Sequence, residues 1–241
     1  SRYMNNRIYI IEDDISISTL LKDYIDRYGF EGVVATNFNN IIEEFIPYFA
    51  RESVPVAFLV PTHTGYEKSI MDATAPIRQL LLDANVHDYE AQGQGPEHKV
   101  LIPAHFVNYN DVTDTVASLY RPVTKNGDPR IWFSNLKKYC APHNLLAIIV
   151  IGKELYVFNL SRPEVATGVF YHGFAASIIE EAAMQERSVA DELLRKLRDI
   201  HRQGFLRSIT PGDPGVGDTL EHALGIDRNN SKAPDYTGIE L

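Results

Sequence analysis

Residues 212–241 read GDPGVGDTLEHALGIDRNNSKAPDYTGIEL. A glycine-rich turn (Gly212, Gly215, Gly217) leads into a short amphipathic helix carrying Leu220 and Leu224 on one side, with Asp218 or Thr219 as its cap. Glu221 projects from the first turn, and Gly225 closes the helix. Pro234-Asp235 and Glu240-Leu241 then fall on adjoining extended segments, with Tyr236 to Gly238 as the turn between them. Two carboxylates on neighbouring strand ends plus a third from a helix suit a hard divalent cation such as Mg²⁺, which takes oxygen ligands in near-octahedral geometry. In phosphodiester hydrolysis such an ion activates water and stabilises charge developing on phosphate.

The same residues carry a specific resemblance. GDPGVGDTLEHALGI followed by APDYTGIEL resembles the opening of the catalytic domain of MvaI/BcnI-type restriction endonucleases, members of the PD-(D/E)xK nuclease class. Position by position, the resemblance implies that Glu221, Asp235 and Glu240 are catalytic acids and that Asp235 and Glu240 hold Mg²⁺. The family places a lysine two residues after the second acid, where a strand would put it on the same face as Glu240. The sequence reads as far as Leu241, one residue short of that position. The expectation is a chain cut just inside the catalytic motif, able to bind duplex DNA without cleaving it.

Composition is that of a globular protein of one large or two modest domains: 241 residues, 44% hydrophobic and 23% charged. No apolar run reaches a membrane span and the N-terminus lacks a signal-peptide pattern, so a cytoplasmic location is expected. A single cysteine, Cys140, excludes a disulfide framework and a thiolate zinc cluster, and reads as a small buried residue. The net charge of −9 argues against binding polyanions over the whole surface. Site-specific DNA binding needs only a local basic patch.

Such a patch lies upstream. Between Arg121 and Lys138 there are five basic residues and one acid, Asp128. Asn126-Gly127 is a tight-turn signal leading into the aromatic strand Ile131-Trp132-Phe133. Loops bearing Arg, Lys and Asn beside rigid strands suit contacts to phosphates and base edges, which makes Arg121, Lys125, Asn126, Arg130, Lys137 and Lys138 the candidate DNA-binding residues. Trp132 reads as core. Asn144 to Ile151, the Gly152-Lys153 turn and Leu155 to Leu160 read as a β-hairpin. This hairpin-rich middle resembles the accessory target-recognition domains ahead of some restriction nuclease domains, such as the EcoRII-type effector domain. Downstream, residues 174–203 are helical, with a basic face at Arg195, Lys196, Arg198 and Arg202 and a break expected near Ser188.

Toward the N-terminus, residues 7–60 read as β-α-β-α-β, with strands at Arg7 to Ile11, Val33-Val34 and Val56 to Val60. This half resembles the start of a response-regulator receiver domain, whose acidic cluster would correspond to Glu12-Asp13-Asp14. The phospho-accepting aspartate expected after the third strand is absent, since Val60 leads into Pro61-Thr62-His63-Thr64, and the acids read as a solvated strand end. A strand, a helix over Ile70 to Leu82, a flexible Gln92–Pro96 loop and a strand at Val100 to Ile102 follow. His63, His87, His98 and His105 lack metal-pair spacing and read as loop and surface histidines.

The expected fold is therefore α/β or α+β. A βαβαβ-like segment is followed by a β-rich centre and the helical start of a PD-(D/E)xK nuclease domain. Residues 1–54 form the receiver-like extension, 55–175 a DNA-recognition domain, and 176–241 a connector helix with an incomplete nuclease start. The expected function is sequence-specific binding of double-stranded DNA within a type II restriction endonuclease, Mg²⁺-dependent in the intact protein, with oligomerisation left open. The alternative is a signalling protein with a degenerate receiver domain and no nuclease activity. No G-x-S-x-G elbow or P-loop points to another enzyme class.

Overall fold

The computed structural model describes residues 7–11, 27, 31–35, 48–170, 172–202, 220 and 222–224. Strands β1 (Arg7–Ile11) and β2 (Glu31–Ala35) pair in parallel, with Arg7 opposite Glu31 and Ile11 opposite Ala35. Of the two helices expected in this region, Arg27 and residues 48–51 are described and are helical.

The third strand of the expected βαβαβ unit goes elsewhere. β3 (Ala57–Leu59) pairs antiparallel with β8 (Leu146–Ile151), and β1 and β2 form a two-stranded sheet of their own. Ala57 and Leu59 bury one side of β3, and β8 offers the continuous apolar run against which such a strand can pack on both faces.

A seven-stranded sheet is thereby built in the order β3-β8-β9-β5-β6-β7-β4. Its remaining strands are β4 (Met71–Asp72), β5 (Val100–Val107), β6 (Val112–Tyr120), β7 (Arg130–Phe133) and β9 (Glu154–Asn159). All pairs are antiparallel except β5 with β9. Gly152 and Lys153, both at positive φ, close the β8–β9 hairpin as its sequence predicts. β5 runs well beyond the three residues expected of it, because its alternation continues through Ala104 and Phe106.

The sheet curls around its inward side chains. Ile102, Ala104, Phe106, Ala117, Leu119, Ile131, Phe133, Leu146, Ile148, Leu155 and Val157 form one core with Ile77, Leu80 and Leu81 of helix α2 (Ala75–Asp83). Leu136 and Tyr139 of helix α3 (Leu136–Tyr139) complete it. Phe133 and Leu119 are fully buried; truncation to Ala would cost about 3–5 kcal/mol at Phe133 and about 2–5 kcal/mol at Leu119. Helix α2 begins at Ala75 rather than Ile70, since Met71-Asp72 is taken into the sheet and Thr74 and Pro76 set the helix start.

On the outer side of β8 and β9 a second core joins Ala147, Ile149 and Phe158 to Phe49, to helix α4 (Pro163–Phe170) and to helix α5 (Phe174–Arg202). Helix α5 is continuous through Ser188, where a break was expected. Its apolar stripe explains the continuity. Ala175, Ile179 and Ala182 pack on the sheet, and Val189, Leu193, Leu197 and Ile200 prolong the same spacing to meet Leu220 and Leu224. At 29 residues the helix is about 43 Å long.

Candidate nucleic-acid interface

Strands β3 and β4 are opposite edges of the sheet, yet the curl brings them to the two sides of one cleft of about 680 Å³. Helix α1 (His63–Lys68), which joins them in sequence, spans the gap. Its geometry follows from its residues. Thr62 caps it, Oγ1 accepting from the Gly65 amide at 3.1 Å, and Ser69 ends it in the left-handed conformation. Gly65 is required because a Cβ there would stand 2.5 Å from the Ile70 carbonyl oxygen, whose residue turns straight into β4. Tyr66 anchors the helix to α3, its hydroxyl donating to the Cys140 carbonyl at 2.9 Å.

The cleft has an apolar floor and a polar rim. Leu59 and Met71 are buried at its base, with Phe58, Val60 and Ile70 on the sides. Thr62, Thr64, Thr74 and Thr124 bring four hydroxyls to the rim, and Lys68 and Lys125 are exposed there without a side-chain partner among the described residues. Arg130 on β7 pairs with Asp72 on the adjoining β4. Three cations face one carboxylate, so the recess is locally basic in an acidic chain. Burial raises the pKa of the Tyr120 phenol, with the Arg130 guanidinium opposing, so this lining group stays a neutral hydroxyl.

The candidate basic residues separate into two kinds. Lys125 and Arg130 line the cleft. Asn126 lies in the same turn, where Lys125, Asn126 and Gly127 hold φ of 54°, 54° and 70° in succession. Arg121 is committed to the backbone: its guanidinium donates to the carbonyls of Gly127 at 2.8 Å, Gln92 at 3.0 Å and Tyr89 at 3.3 Å. Lys137 donates to the Glu67 carbonyl at 2.9 Å and stands over the Tyr66 ring, while Lys138 beside it is exposed. The Gln92–Pro96 segment, expected to be flexible, is anchored. The buried Gln92 amide donates to the carbonyls of His98 and Leu119.

In the sequence Thr62, Thr64 and Lys68 read as loop and Asp72 as part of a helix, so none of them is marked as a site residue; the Thr62–Gly65 spacing is the available signal. His105 is likewise no loop histidine. It sits on β5 directly opposite Asp114, with Nδ1 2.7 Å from that carboxylate and Nε2 3.3 Å from Glu154 on β9. Cys140 is buried as expected, and burial pushes its thiol up to about 11, which keeps it protonated and unreactive.

Glu221, Asp235 and Glu240 lie outside the described residues, as do Glu12, Asp13 and Asp14. The far end of α5 packs on Leu220 and Leu224, which flank Glu221 in sequence. The comparison with known families bears on the same segment.

Residues 194–241 match the MvaI/BcnI restriction endonuclease family. The match begins inside α5, so the helix packed on the curled sheet is also the first element of the MvaI/BcnI-like segment. A separate likeness is to the transcriptional regulatory protein YxdJ of Bacillus subtilis (strain 168), 36% identical over 64 residues, which covers 25% of this chain. The chain spans about a quarter (26%) of the length of that relative. No solved structure matches the chain. No described helix is long and apolar enough to cross a membrane.

Proposed function

We propose that the chain binds a short specific site in double-stranded DNA through its curled sheet, as the recognition part of a type II restriction endonuclease. The match of residues 194–241 to a restriction endonuclease family carries the reading. The basic, hydroxyl-rich cleft supports it, since phosphate contacts by Lys and Arg set a DNA reader's register while hydroxyls and amides reach base edges. Lys68 and Lys125 are the phosphate contacts, with Asn126 and Lys138 flanking. Arg121 and Lys137 act by holding the basic turn and α1 in place.

Cleavage is assigned to the segment that follows α5. Its donor set of Glu221, Asp235 and Glu240 consists of carboxylate oxygens only, which fits Mg²⁺ and not a softer metal. Asp235 and Glu240 would hold the ion, with Glu221 assisting. When bound, Mg²⁺ supplies activation of water and charge stabilisation at the scissile phosphate. Helix α5 gives recognition and cleavage a common rigid element, because one side of it packs on the sheet and its far end on Leu220 and Leu224.

The test is a gel-shift titration against a duplex selected from a random pool. Lys68→Ala with Lys125→Ala should weaken binding and lower the salt slope by about 2, at roughly 0.9 per phosphate contact. Unchanged affinity and slope would remove the cleft from the interface. The likeness to YxdJ favours a second reading, a signalling protein with a receiver-like start. Phosphate uptake from acetyl phosphate, with no preference for duplex DNA, would select it.

A further inference from the structure

We infer that the cleft between β3 and β4 receives a single nucleobase turned out of the duplex, and that it favours a base carrying an exocyclic amino group. This rests on the DNA-binding reading above and specifies what enters the site.

Size is the first argument. A recess of about 680 Å³ is on the scale of pockets that enclose a small molecule. It is far too small for a duplex, whose major groove alone is about 12 Å wide. A duplex can therefore only lie across its mouth. What enters must be a part of the duplex, and the part that can leave a stack on its own is one nucleotide.

The lining is the second argument. A seat built for phosphate would turn donors inward. Here the floor is Leu59 and Met71, both 5% exposed. The one inward cation, Arg130 at 18% side-chain exposure, is already paired with Asp72, and Lys68 and Lys125 stand exposed at the rim. That gradation matches a nucleotide entering base first: the flat apolar face meets the floor while Lys68 and Lys125 take the flanking phosphates.

The third argument sets the choice of base. Asp72 uses Oδ1 on Arg130, and its side chain is 71% exposed. Oδ2 takes no hydrogen bond among the described residues. A fixed carboxylate accepts from an amino group, as in the pairing of acidic side chains with cytosine N4. It repels an edge that offers carbonyl oxygen in that position. Adenine, cytosine and guanine, through N6, N4 and N2, satisfy it, and thymine does not. Arg130 beside it donates to a ring nitrogen or carbonyl of the same edge, and the threonine hydroxyls adapt as donor or acceptor.

The experiment uses the 241-residue chain and a duplex selected by binding, with 2-aminopurine replacing each base in turn. One position should brighten on binding, and the rise should vanish in Thr64→Trp, which fills the cleft from its rim. Thr74→Trp does the same from the other side; its residue makes no side-chain capping bond, so the helix it precedes does not depend on it. In parallel, the chain is titrated with dAMP, dCMP, dGMP, dTMP and inorganic phosphate. A brightening position occupied naturally by adenine, cytosine or guanine, with dTMP about tenfold weaker than the amino-bearing nucleotides, supports the inference, and a bright thymine position overturns it. A retained duplex with no bright position, or with a rise that survives both tryptophan variants, overturns it and leaves DNA binding standing. Phosphate binding as well as any nucleotide makes the cleft an anion seat and overturns it too. Mononucleotide binding without duplex binding overturns both readings.

Discussion

Replacing Arg121 with alanine separates two roles that a basic residue near DNA can have. Its guanidinium donates to three carbonyls, those of Gly127, Gln92 and Tyr89, and so ties the basic turn to the segment that leads into β5. Hydrogen bonds from a charged donor contribute about 1.5–3 kcal/mol each, less where water can replace them. Arg121 is half-buried, so the loss should be about 2–4 kcal/mol in total. For a domain of this size that is a fall in Tm on the order of 10 °C. The turn it holds keeps Lys125, Asn126 and Gly127 in the left-handed region, a conformation that persists only where the surroundings enforce it. Duplex affinity should therefore fall because Lys125 is no longer held at the cleft. The assay pairs thermal unfolding with a salt titration of duplex binding. A positioning role predicts a lower Tm, weaker binding and, at low temperature where the turn is still folded, an unchanged salt slope. A direct phosphate contact predicts the reverse: Tm unchanged and the slope smaller by about 0.9. That second pattern would refute the division of the basic residues drawn from the structure.

Gly127→Ala should destabilise the same turn by about 1–3 kcal/mol, because φ is +70° and the new Cβ would have to displace the Gln94 side chain. Urea unfolding checks it, and a wild-type midpoint would mean the turn is not held as described. Glu186 interrupts the apolar stripe of α5, and burial raises its carboxyl above the ordinary 4.5. The folded chain thus holds that proton more tightly than the unfolded chain. The linked stability is complete below 4.5 and is lost as pH rises through the folded value. Glu186→Gln should flatten Tm against pH across that window, and a profile identical to wild type would place the carboxylate in solvent.

Much of the fold was legible where the signal is local. The β8–β9 hairpin follows from an unbroken apolar run, a Gly-Lys turn and a second apolar run, all within seventeen residues of sequence from Asn144 to Leu160. The pairing of β3 with β8 was not legible, because nothing near Ala57 specifies a partner about ninety residues away. The cleft depends on that pairing, and so was hidden with it. Charge counting found the basic turn but could not rank its members: Arg121 and Lys125 are equal in the sequence, while three carbonyls engage one and solvent surrounds the other. The carboxylate pair on His105 is not legible for the same reason, since its partners come from Asp114 across the β5–β6 ladder and Glu154 on β9. Continuity through Ser188 could have been read from the spacing of Ala182, Val189, Leu193 and Leu197, which a single serine on the exposed face does not disturb.

The central claim is that the curled sheet holds duplex DNA by cations at the rim of its cleft. Measuring the salt dependence of duplex affinity for the chain and for the Lys68→Ala, Lys125→Ala pair tests it most directly. A steep fall of log affinity with log salt, shallower by about 2 in the pair, is the predicted result. A chain that shows no duplex affinity at low salt, or one whose slope the pair leaves untouched, would contradict the account.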